Sequence, residues 1–136
     1  MIKIIYGEKG TGKTKQMVDG ANASVTECKG SIVYIDKDSN RMHDLAREIR
    51  LVDASHFGIA DQKSFVAFVK GMIAANYDVE RIYIDGLYKI VCSDLANMAE
   101  VYDGLEQIAE DFSVDFIITA SCAKENLPAF VAKYVG

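Results

Sequence analysis

Apolar residues gather along this chain in short continuous runs that alternate with stretches of helical period. Residues 2–6 form an apolar run of strand length that stops at Gly7, and residues 13 to about 24 read as a helix in spite of Gly20. A second β-rich run covers residues 31–35, residues 41–49 predict a short helix, and residues 50–54 a brief third strand. Phe65, Phe68, Val69, Met72 and Ile73 then recur at spacings of three, four, three and one, which puts them on one stripe of an amphipathic helix. Residues 81–85 return to a strand. A long helix is predicted from about residue 94 to 112, with Leu95, Met98, Tyr102, Leu105, Ile108 and Phe112 facing one way. Residues 115–120 are nearly all apolar and rich in β-branched side chains, as suits a strand covered on both faces. Pro128, the only proline, marks the start of a terminal helix carrying Phe130, Val131 and Tyr134.

Strands alternating with helices predict an α/β fold: a three-layer arrangement with a mostly parallel sheet of about five strands and helices on both faces. With 136 residues and no linker, repeat or low-complexity segment, residues 1–136 are expected to form a single domain. In such sheets ligands collect outside the carboxyl ends of the strands. The loop that begins at Gly7, residues 36–41, Asp85 and Ser121 all fall at such ends.

The first of these ends carries the clearest chemistry. Gly7, Glu8, Lys9, Gly10, Thr11, Gly12, Lys13 and Thr14 fit the pattern G-x-x-x-x-G-K-[ST] at every specified position, between a predicted strand and a predicted helix. Glycines let the backbone curl so that successive N–H groups point inward at a polyphosphate, and Lys13 adds a positive charge near its end. Thr14 offers a hydroxyl to Mg²⁺, and the positive end of the following helix dipole faces the same anion. Lys15 continues the run of cations. A magnesium-bound nucleotide also needs a carboxylate at the end of a neighbouring apolar strand, and Ile82-Tyr83-Ile84-Asp85 supplies one. An Asp that merely opens a turn is the plainer account of Asp85 by itself.

Composition narrows the field. Hydrophobic residues make up 50% and charged residues 26%, the balance of a globular protein. No apolar run approaches the ~20 residues that span a bilayer, so no membrane partner and a cytoplasmic location are expected. A net charge of −5 argues against a surface built to coat nucleic acid. Cys28, Cys92 and Cys122 are too scattered for a zinc site or a disulfide framework and read as buried free thiols.

These residues resemble the P-loop nucleotidases and, among them, the RecA-like or KaiC-like ATPases. The Walker A match is the loop from Gly7 to Thr14, and the Walker B match ends at Asp85. Val33-Tyr34-Ile35-Asp36-Lys37-Asp38 is similar to the strand that in RecA-like proteins delivers the catalytic acid, and Phe116-Ile117-Ile118-Thr119-Ala120-Ser121 is similar to their sensor strand. The chain is also similar to short proteins labelled twitching-motility ATP-binding proteins, although the acidic and histidine-containing boxes of a pilus-retraction ATPase are not visible. Only Walker A is specific.

The resemblance implies ATP and Mg²⁺ as ligands, with Thr14 and Asp85 at the metal and Lys13, Asp38 and Asp85 as the catalytic set. Gly86 follows Asp85, so the Asp-Glu pair of many additional-strand ATPases is missing, and a general base has to come from Asp36 or Asp38. Asp38 stands where RecA-like proteins usually carry Glu; a polar turn made by Asp36, Asp38, Ser39 and Asn40 is the competing account. Ser121, with Thr119 and Lys124 nearby, could sense the terminal phosphate. Among the arginines, Arg41 is better placed than Arg81 to neutralise transition-state charge.

ATP binding with slow hydrolysis is thus the leading expectation. A small nucleotide or nucleoside kinase, or a nucleotide-binding regulatory module that does not turn over, remains open, as does a homo-oligomer. Lys13 is expected to be exposed when no phosphate is bound.

Overall fold

The computed structural model describes residues 1–135. Its strands are β1 (Ile2–Gly7), β2 (Ser31–Asp36), β3 (Ile49–Asp53), β4 (Val79–Ile84) and β5 (Asp115–Ser121), all parallel in one sheet of order β1-β5-β4-β2-β3. Helix α1 (Lys13–Glu27) follows β1, α2 (Gln62–Ala75) lies between β3 and β4, and the short α3 (Leu87–Ile90) and longer α4 (Ala99–Phe112) connect β4 to β5. A single turn of helix, α5 (Ala129–Ala132), closes the described chain. The expected α/β three-layer fold, with about five parallel strands and helices on both faces, is the fold observed.

Period-two alternation sends each strand's side chains to both layers. Ile32, Tyr34, Tyr83 and Ile117 pack with Met17, Val18 and Ala21 of α1. Val33, Ile35, Ile82, Ile84, Phe116 and Ile118 point the other way, into a larger core with α2 and α4. The predicted stripe of α2 holds in part: Phe65, Val69 and Ile73 are buried, and each such side chain contributes about 2 kcal/mol by leaving water. A reciprocal capping box between Asp61 and Ser64 sets where this helix begins. Gly20 of α1 faces the Tyr83 ring, at a distance where a Cβ would make an ordinary contact of 3.6 Å.

Four expectations are corrected. Residues 41–48 form turns and bends, and Ile49 already begins β3, since Asn22 takes the groups a helix needs: its side-chain amide donates to the Asp44 carbonyl at 2.9 Å and accepts the Ala46 N–H at 2.8 Å. The helix expected from residue 94 starts at Ala99, behind a 3-10 turn at Leu95–Asn97, and Phe112 is 45% exposed, so its buried stripe ends at Ile108 and Ala109. The terminal helix is one turn long, with Tyr134 beyond it, stacked on Tyr102. The cysteines are free, but Cys92 is exposed and Cys28 and Cys122 are half-buried.

Candidate functional site

The turn between β1 and α1 is built by its glycines. Gly12, at φ 85° directly before α1, occupies the left-handed region that other residues resist, and it leaves the first N–H groups of the helix without a side-chain cap. Gly7 leaves no room for a Cβ, which would stand 2.5 Å from Thr11 Oγ1. Inside the turn the Thr11 hydroxyl donates to the Glu8 carbonyl at 2.7 Å, and Lys13 Nζ donates to the same oxygen at 2.9 Å. Lys13 is therefore only 8% exposed, contrary to the expectation of a free lysine, because its ammonium folds back onto the Glu8 carbonyl.

Asp85 lies one residue beyond β4. Its amide donates to the Ile35 carbonyl at 2.9 Å, which ties it to the end of β2. The Tyr34 hydroxyl donates to Asp85 Oδ2 at 3.0 Å, and the Thr119 hydroxyl donates to Oδ1 at 3.1 Å while accepting the Gly86 N–H at 3.0 Å. Three neighbouring strands thus converge on one carboxylate that is 9% exposed. Burial first, and then the charge of Asp85, push the Tyr34 phenol far above its ordinary range, so it stays a donor.

Two cavities meet here. One, of about 360 Å³, is lined by Gly10, Gly12, Lys13 and Thr14 of the turn, by Asp85 and Gly86, and by Thr119 and Ser121. The other, of about 220 Å³, has Thr14, Asp85 and Gly86 in common with the first and adds Asp36, Asp38 and Arg41. Lys89, on α3, lines both. Asp36 is the unusual member: burial first, and then the negative charge of Asp85, raise its carboxyl to about 6. Asp38 accepts the Asn40 N–H at 2.9 Å in a local turn, and Arg41 reaches Asp44 at 3.3 Å.

Most of the residues singled out from the sequence therefore come together. Lys9, Gly10, Gly12, Lys13, Thr14, Asp38, Asp85, Thr119, Ser121 and Arg41 share one end of the sheet. Lys15 points elsewhere, paired with Asp19 at 2.8 Å. Lys124 lies on a 3-10 turn and lines neither cavity. Arg81, as expected, lies at the far end, bound to Glu27 at 3.1 Å. Two residues had no sequence signal strong enough to mark them. Tyr34 looked like one more apolar strand position. Lys89 is one lysine among many in the sequence, and its place four residues after Asp85 is too weak a cue to single it out.

The turn fits a phosphate chain in its chemistry: uncapped helix N–H groups, a lysine and no carboxylate side chain lining the turn's own side of the larger cavity. Thr14 and Asp85 offer a hydroxyl and a carboxylate on one wall, a hard-oxygen pair suited to Mg²⁺, which draws its remaining ligands from phosphate and water.

No protein-family model matches the chain, and no curated protein matches it. Among solved structures it is similar to the flagellar accessory protein FlaH from Methanocaldococcus jannaschii, with a TM-score of 0.62 and 15% sequence identity. The match covers 97% of this chain and 65% of that one, so the chain spans about two thirds of its neighbour's length. At this identity the likeness is one of fold.

Proposed function

We propose that the protein binds ATP with Mg²⁺ as a minimal RecA-like P-loop domain and hydrolyses it slowly. The observation that carries this reading is the convergence of Lys13, Thr14 and Asp85 on one cavity at the open N-terminus of α1. The sheet order supports it too. β5 stands as an extra strand between the loop strand and the Asp85 strand, in keeping with the resemblance to additional-strand ATPases.

In this reading the amides of residues 10–14 hold the phosphate oxygens, and Lys13 leaves the Glu8 carbonyl for the terminal phosphates. Mg²⁺, when bound, offsets the charge on the β and γ oxygens. Asp85, fixed by Tyr34 and Thr119, holds the metal's water shell without having to reorganise. Asp38 orients the attacking water, with Asp36 beside it on the same wall. A hydrolysing domain of this kind works in the cytoplasm, where ATP is available, and assembly into a homo-oligomer is compatible with it. Among the described residues no helix is long and apolar enough to cross a membrane.

Calorimetric titration with ATP, with and without Mg²⁺, tests the reading. Wild-type protein is expected to bind more tightly with the metal. Asp85→Asn is expected to keep its fold and lose most of that difference, roughly tenfold or more in affinity. A flat titration at millimolar ATP removes the reading altogether.

A further inference from the structure

The largest cavity beside the loop is not either of the two described above. It holds about 570 Å³, a volume suited to a small organic ligand, and lies behind the start of the loop between the end of β5 and the α3–α4 connection. Lys9, Tyr88, Thr119 and Ser121 line both this cavity and the phosphate cavity, so the two adjoin. Its walls differ from those of the phosphate site. Tyr88, Leu95, Met98 and Tyr102 give apolar and aromatic surface, and Asp94 and Asn126 add polar groups. The Tyr102 hydroxyl is buried without a hydrogen-bond partner among the described residues.

We infer that this cavity is the site of a second substrate, a phosphoryl acceptor, which makes the domain a small-molecule kinase. The inference rests on the ATP reading above. Charge decides the acceptor's class. The lining holds two carboxylates, Glu8 and Asp94, against one cation, Lys9, which sits on the edge shared with the phosphate cavity. An acceptor that already carries phosphate needs several cations and finds none to spare. A neutral molecule with a flat ring and a free hydroxyl, the chemistry of a nucleoside, finds aromatic surface for the ring and hydrogen-bond partners for its edge.

In the transfer, the acceptor hydroxyl oxygen forms a bond to the terminal phosphorus of ATP. The bond from that phosphorus to the bridging β-phosphate oxygen breaks, and ADP leaves with the electron pair. The hydroxyl proton passes to the carboxylate of Asp94. The two cavities adjoin along Lys9, Tyr88, Thr119 and Ser121, so an acceptor held in one lies next to a phosphate chain held in the other.

The experiment supplies ATP labelled at the γ-phosphate, Mg²⁺ and each common ribo- and deoxyribonucleoside in turn, and separates the labelled products. Calorimetry measures ATP binding by the same proteins. Ala123→Trp and Leu95→Trp each fill the cavity from a partly exposed position, and circular dichroism identifies which of them folds. The wild type is expected to yield a labelled nucleoside monophosphate. Either folded variant is expected to lose transfer by roughly tenfold or more while its ATP affinity stays within about twofold. ATP that binds but gives up its label only as inorganic phosphate overturns the acceptor site and leaves ATP binding intact. Weakened ATP binding in the filled variants also overturns it, because the cavity then belongs to ATP itself. A flat ATP titration of the wild type removes the acceptor site together with the reading it rests on.

Discussion

Lys13 spends its charge on a carbonyl of its own loop, so phosphate entering the turn has to offer more than the single hydrogen bond to Glu8 that it replaces. A terminal phosphate does, because its oxygens carry negative charge and add ion pairing to the hydrogen bond, whereas the Glu8 carbonyl is neutral. Lys13→Ala is accordingly expected to weaken ATP binding by about a hundredfold, some 2.7 kcal/mol, and to cost the fold only about 1 kcal/mol. Calorimetry and chemical denaturation read the two effects separately. Asp36 yields a prediction in pH. Its folded carboxyl titrates near 6 against 3.8 for the free side chain, so between those values the folded state holds a proton that the unfolded state releases. Stability from this group is thus intact below pH 4, falls as pH climbs toward 6, and stays reduced above it. Asp36→Asn removes the burden and keeps an oxygen for the Lys37 N–H, which donates to Asp36 at 2.7 Å. The variant is expected to be more stable than wild type by about 1 kcal/mol at pH 7.5, a figure discounted for partial exposure, and to match it at pH 4. The sequence showed Asp36 as a carboxylate at a strand end. That it would be half-buried beside a second carboxylate depends on β2 and β4 being neighbours, which no local pattern records.

At the level of elements, the helices on the α2–α4 face are held by close approach as much as by burial. Gly104 of α4 faces Val66 of α2, and a Cβ at Gly104 would lie 2.8 Å from Val66 Cγ2 and 3.1 Å from its Cγ1. Both contacts fall on a stiff β-branched side chain, so the helices have to separate to admit anything larger. Gly104→Val is expected to destabilise the protein by about 2 kcal/mol, visible as a lower urea midpoint. Nothing in the sequence marks position 104 as one that needs a glycine; the close crossing of α2 and α4 shows why a side chain is absent there. The elements legible from their own residues were β1, α1, β2, the brief β3, α2, β4 and β5. Residues 41–49 misled because Asn22, distant in sequence, competes for their backbone groups. The start of α4 misled because the apolar spacing of Leu95 and Met98 persists through a 3-10 turn that interrupts the hydrogen-bond ladder.

The whole molecule exposes 7340 Å², close to the ~7,000 Å² expected for a compact monomer of its mass, so its sites lie on one closed body rather than on arms. All three cavities of the nucleotide and acceptor reading gather at the carboxyl end of a single sheet, and ligand binding there is linked to the stability of the whole fold. ATP with Mg²⁺ at about a hundred times its dissociation constant is expected to add about 2.7 kcal/mol and raise the melting temperature by several degrees in a thermal-shift assay, with Lys13→Ala gaining only about 0.4 kcal/mol. What the sequence determined by itself was local: a strand–glycine loop–helix able to curl its amides inward, an apolar strand ending in Asp85, and the alternation that requires a parallel sheet. These follow from short-range sterics and side-chain period, which act between residues near one another in the chain. Tertiary structure alone decided which strand stands between β1 and β4, that Tyr34 and Thr119 grip Asp85, that Lys89 faces the loop, and that a second cavity opens beside it. Those facts are set by the packing of residues tens of positions apart, where the energy of contact depends on the assembled core rather than on any neighbouring pair of residues.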